Sequence, residues 1–168
     1  MNPQQSPETA QAAEVSNLTR FEHLLPALVE QAEAGLDIEA LREESCLRVE
    51  IEDQQLETRW LGAASARVDG PETANAALDR LRRWLDAEGW EFRNEVSNAP
   101  EERGDIRVLL YRKDDLGVTA TFRDDGGPLI EVLLTSRCTE NPKEHQMKRS
   151  ELDPDYGLSS EYYKDSAS

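Results

Sequence analysis

The chain has 168 residues, enough for one domain with a real core and too few for two ordinary ones. Only 38% of them are hydrophobic, which points to polar tails around a smaller folded unit. A net charge of −16, from 35 acids against 19 bases, argues against nucleic acid as a partner, because phosphates demand a basic face. The acids are spread along the chain, so solubility explains most of them, and an acidic face for a basic partner is the sharper alternative.

Residues 1–16 are Gln, Pro, Ser, Glu and Ala without periodicity and read as a disordered leader. They have neither a basic n-region nor an apolar h-region, so no signal peptide is expected there. No window approaches the roughly 18 apolar residues of a membrane span, and no transmembrane segment is expected. Residues 17–138 read as a single α+β domain, and residues 139–168 as a polar tail that is partly ordered at most.

Within the domain, Thr19-x-x-Glu22 has the form of a capping box, and Leu18, Phe21, Leu25, Leu28 and Ala32 form a helical stripe after it. Pro26 should kink that helix, and Gly35 should end it. Asp37 to Glu44 suits a short second helix capped by Asp37, with Ile38 and Leu41 facing inward. From Cys46 the pattern turns β-like, Leu47, Val49 and Ile51 alternating with Arg48, Glu50 and Glu52. A further strand is placed within Leu56–Val68.

The stretch from Asp69 to Val96 organises the rest. Pro71 fits the first helical position, and Ala74, Ala77, Leu78, Leu81 and Leu85 recur on one stripe. Gly89 is the expected left-handed stop, after which Trp90, Phe92 and Val96 alternate with charged residues as a strand. A polar connection over Asn94–Gly104 follows. Then Ile106, Val108 and Leu110, Val118, Ala120 and Phe122, and Ile130, Val132 and Leu134 make three inward rows joined by Asp- and Gly-rich turns. The expected architecture is α+β: an antiparallel sheet of four to five strands with one main helix and an N-terminal helix on one face. Leu81, Leu85, Trp90, Phe92, Val108, Leu110, Phe122 and Val132 are expected to be buried together.

Catalytic chemistry has no constellation behind it. His23 lies beside an apolar stripe, and His145 lies in the polar tail seven residues after Cys138 with no local signature. The pairs Asp114-Asp115 and Asp124-Asp125 fall at opposite ends of a strand of about 20 Å and cannot share an ion. Asp153-Pro154-Asp155-Tyr156-Gly157 resembles half an EF-hand loop but lacks the third acid and the bidentate Glu. Cys46, Cys138, His23 and His145 lack the paired spacing of a zinc site. No phosphate loop or dinucleotide fingerprint occurs, so no metal, cofactor or enzymatic activity is expected. Trp84 flanks the main helical stripe, where it either widens the core contact or stands half-exposed as a partner anchor. The two cysteines are either buried free thiols or one long-range disulfide.

A helix ending in Gly89-Trp90, two hairpins of alternating apolar residues, and a last strand closing with Thr135-Ser136-Arg137-Cys138 resemble small cell-envelope lipoproteins of actinobacteria. The resemblance covers about residues 40–140, with Cys46 standing where those proteins carry an earlier cysteine. Two features depart from that pattern: Arg137 replaces the usual proline before the last cysteine, and the lipid-bearing cysteine with its signal is missing from these residues. The resemblance implies an extracytoplasmic location and a non-enzymatic role in binding or assembly, with an unknown protein or envelope component as partner. It assigns no catalytic residues. With the matching parity of Cys138 and Leu134, it also favours a Cys46–Cys138 disulfide. The alternative is a cytoplasmic acidic interaction protein, immunity- or adaptor-like, that neutralises a basic partner.

Overall fold

The computed structural model describes residues 7–97, 106–163 and 165, and of residues 7–16 the backbone alone. The elements run α1 (Pro7–Ala32), β1 (Asp37–Ser45), β2 (Glu57–Arg67), α2 (Pro71–Ala87), β3 (Glu91–Ser97), β4 (Ile106–Lys113), β5 (Leu116–Asp124), β6 (Pro128–Thr135) and β7 (Thr139–Glu140). The fold is α+β, and its antiparallel sheet, ordered β1-β2-β6-β5-β4-β3 with β7 also on β2, is larger than the four to five strands expected.

Three readings of the N-terminal third need correction. Helix α1 starts at Pro7, inside the stretch taken for a disordered leader, so Thr19 lies in mid-helix rather than at a cap. Residues 37–45 form a strand, where a short helix was expected. Its Glu, Ala, Leu and Arg content favours helix, but pairing from Asp37↔Ser65 to Ser45↔Thr58 along β2 overrides that preference. The run after Cys46 is a loop, and Val49 is 92% exposed there.

Helix α2 behaves as its sequence dictates. Gly70 caps its N-terminus, Pro71 opens it, and Ala74, Ala77, Leu78, Leu81 and Leu85 are all buried. At its end Trp90 N–H donates to Leu85 O (2.9 Å) and Gly89 N–H to Asp86 O (3.3 Å), a Schellman motif in which Gly89 takes φ +84°. That motif turns the chain into β3 within two residues.

Helices α1 and α2 both pack on one face of the sheet. Leu25 of α1 lies so close over Gly62 that a Cβ there would meet it at 3.2 Å, which is why the position is glycine. The covered rows run Gly62–Leu134–Val118–Tyr111 and Ala64–Val132–Ala120–Leu109. In β4, therefore, Leu109 and Tyr111 point inward, and Val108 and Leu110 point to the other face, opposite to the expected parity. Register explains it: Tyr111 lies opposite Val118 and Leu109 opposite Ala120, and partners in a ladder share a face. Of the expected core, Leu81, Leu85, Trp90, Phe122 and Val132 are buried, whereas Phe92 is 43% exposed at the sheet edge.

A bulge between Phe92 and Asn94 then switches β3 as well, putting Val96 on the face away from the helices. The two hairpin turns fall at Asp114-Asp115, with Asp114 at φ +56°, and at Asp125-Gly126-Gly127, at opposite ends of β5. No helix among the described residues is long and apolar enough to cross a membrane.

Candidate functional site

Trp84 is half-buried, and it borders a cleft of about 310 Å³ between the helices. Helical spacing builds one wall: Arg20, His23, Leu24 and Ala27 lie on one face of α1. Trp84 near the end of α2 and Glu88, which caps it, form the other wall, and Trp90 and Leu116 close the floor. Polar contacts hold the rim. Arg20 pairs with Asp115 at 3.4 Å, and Lys113 Nζ donates to Glu88 O at 2.7 Å. The lysine thereby satisfies a carbonyl at the negative end of α2. An aromatic and aliphatic interior with a charged rim suits an apolar side chain carried on a polar partner.

A second constellation ties the segment after Cys138 to β1, and most of it escaped the sequence reading. Glu43 is 1% exposed. Its carboxylate accepts from Thr58 Oγ1 (2.8 Å) and Lys148 N–H (3.1 Å), and His145 Nε2 lies 2.8 Å away. The backbone of residues 148–150 runs along the free edge of β1, with Glu43 N–H donating to Lys148 O (2.9 Å) and Ser150 N–H to Leu41 O (2.8 Å). Asp153 caps this edge, accepting from Leu41 N–H (2.8 Å) and pairing with Arg42 Nε (3.0 Å). The half EF-hand motif is thus consumed by structural bonds, since its first carboxylate is buried and engaged. Further on, Arg149 stacks over Tyr163 at 4.3 Å, and Tyr163 O–H donates to Glu43 O at 2.6 Å. Burial pushes the Tyr163 hydroxyl up, while Arg42 and Arg149 pull it back. The stretch assigned to a polar tail is therefore docked on the domain through residue 163. Glu43, His145 and Asp153 at unperiodic positions carry no hydrophobic signal in the sequence.

Cys46 and Cys138 are joined by a disulfide with Cα atoms 6.2 Å apart. The reason differs from the parity argument. Strand β6 ends at Thr135, Ser136 turns to accept from Trp60 N–H (2.8 Å), and Cys138 emerges on the surface rather than in the core. Cys46 N–H bonds Glu57 O while Thr139 pairs with Thr58, so β2 presents the two cysteines to each other. Cys138 is thereby spent as a nucleophile, and His145 is held by Glu43. His23 stands exposed at the cleft wall. Among the described residues no group of three or more His, Cys, Asp or Glu is placed to hold a metal ion.

No family model, no curated protein and no solved structure matches the chain.

Proposed function

We propose that the chain is a non-enzymatic binding domain of the cell envelope or exterior, and that the cleft beside Trp84 grips an apolar side chain of a protein partner. The observation that carries this reading is the placement of Trp84. A large aromatic side chain packs part of its surface against the core and stands half-buried at the wall of an open cleft. Tryptophan is among the residues in which interface hot spots are enriched. Support for the location comes from the Cys46–Cys138 bond, which persists in oxidising compartments and is rare in the cytosol, and from the resemblance of residues 40–140 to envelope lipoproteins.

The charge of −16 favours a second reading, a cytoplasmic acidic protein that neutralises a basic partner. Locating the full-length gene product by cell fractionation separates the two. For the binding role, a pull-down from the native envelope is compared between wild type and Trp84→Ala. A partner retained by wild type and lost by a folded Trp84→Ala supports the cleft. Equal capture by both proteins removes it.

A further inference from the structure

A cleft of about 1010 Å³ lies on the opposite flank of α1 from the Trp84 cleft, between Glu22 and the docked chain that runs from Gln146 to Asp165. Its size is at the top of the about 300–1,000 Å³ usual for ligand pockets.

An ion pair in its wall is bonded incompletely. The Arg149 and Asp165 side chains are 5% and 4% exposed, and Nη1 of one stands 3.6 Å from Oδ2 of the other, beyond hydrogen-bond reach. Arg149 Nη1 donates to Asp155 O, and the guanidinium lies over the Tyr163 ring. Asp165 Oδ2 accepts from Gly157 N–H at 2.7 Å. That leaves Arg149 Nε and Asp165 Oδ1, both buried and both without a partner among the described residues. Buried charged groups are ordinarily bonded to completion, so these two atoms mark a place for a group from outside the chain.

Their chemistry selects that group. Arg149 Nε–H needs an acceptor, and Asp165 Oδ1 needs a donor. An anion would be repelled by Asp165 and a cation by Arg149. A hydroxyl is neutral and both accepts and donates. The rest of the lining agrees. Glu22, Glu151 and Asp165 are set against Lys148 and Arg149, so neither sign dominates. Tyr156 and Leu158, the latter 59% exposed, add apolar surface beside the hydroxyls of Ser159 and Ser160.

We infer that this cleft binds a neutral polyhydroxylated ligand, a short oligosaccharide. Its hydroxyls accept from Arg149 Nε and donate to Asp165 Oδ1, and its C–H faces lie on Tyr156 and Leu158. Both charged atoms are enclosed, so the exposed turn at Gly157–Ser160, tied to Asp165 through Gly157 N–H, gives way as the ligand enters.

The test is a titration followed in proton–nitrogen correlation spectra of the full chain, in which the Arg149 Nε–H has its own signal. The probes are gluco-, manno- and galacto-configured trisaccharides, each to about 20 mM, which saturates a Kd of about 1 mM. Sodium phosphate at the same concentrations is the anion arm. At least one trisaccharide is expected to shift Arg149 Nε–H and Gly157 N–H saturably, and phosphate to shift neither. Arg149→Lys keeps the charge without Nε, and Leu158→Ala removes the exposed apolar contact. The first is expected to weaken binding by about tenfold, read on Gly157 N–H, and the second severalfold. Far-UV circular dichroism establishes that each variant is folded; should Arg149→Lys unfold, Leu158→Ala decides alone. No saturable shift with any trisaccharide overturns the inference and leaves water to complete the pair. An equal response to phosphate overturns it too, as do folded variants that bind like wild type. The site is independent of the Trp84 cleft, because Trp84→Ala is expected to abolish partner capture and leave the saccharide titration unchanged.

Discussion

The Tyr111 hydroxyl donates to the Asp86 carboxylate at 2.9 Å, bonding β4 to the last turn of α2. Tyr111 is 1% exposed, and burial together with Asp86 pushes its pKa up to about 12. In the unfolded chain the same group ionises near about 10. Between these values the folded state holds the extra proton, so stability is full below pH 10 and falls as pH rises toward 12. Urea midpoints measured from pH 8 to 11.5 should decline over the upper part of that range. Tyr111→Phe should flatten the decline; an unchanged slope in that variant would show that other tyrosines or lysines dominate.

Leu81 sits at the middle of the α2 stripe with no exposure. Leu81→Ala should cost about 2–5 kcal/mol, the range for deleting a large side chain from a packed core. Chemical denaturation measures it. A loss below about 0.5 kcal/mol is incompatible with the packing described, since even surface substitutions reach that size.

The Cys46–Cys138 bond spans 92 residues of sequence. In the chain-entropy account a loop of that length contributes about 4–5 kcal/mol, which serves as an upper figure. Comparing urea unfolding of oxidised protein with a Cys46→Ser/Cys138→Ser variant should show a loss of a few kcal/mol. Two free thiols in oxidised, unreduced protein, found by alkylation and mass spectrometry, would falsify the pairing.

Asp153 anchors the docked C-terminal segment through Leu41 N–H and Arg42. Asp153→Ala leaves a buried N–H and a half-buried guanidinium without that acceptor, at a cost of about 1–3 kcal/mol. Limited proteolysis should then cut residues 141–163 much earlier than in wild type, with residues 37–135 surviving. Equal cutting rates would mean that His145, Arg149 and Tyr163 hold the segment without it.

Legibility in the sequence followed the uniqueness of the pattern. Helix α2 has one apolar stripe, one proline start and one glycine stop, and all three lie where expected. In β4, Val108-Leu109-Leu110-Tyr111 is apolar on both parities, so alternation cannot choose a face. Pairing with β5 makes the choice, and it leaves Arg107 on the helix side, where Asp79 (2.8 Å) and Glu95 (2.7 Å) meet it. Strand β1 was hidden by its composition and by buried Glu43, a charge at an inward position. The Trp84 cleft was half legible: the tryptophan stood out on its helix, but its partners come from α1 and from the β4–β5 turn, far away in sequence. The clamp around Glu43 was not legible at all, because satisfied buried charges are recognised only by their partners in space.

Strand β2 lies between β1 and β6, the first and the last long strands to leave the ribosome. The β1–β2 hairpin can form early, but one side of β2 stays unpaired until residues 128–135 arrive, and the far side of β1 waits for residues 148–150. Such non-local closure folds on the slow, millisecond-to-second side of the range for small domains. Through that interval two unsatisfied strand edges are offered to neighbouring chains, the exposure by which slowly closing sheets aggregate.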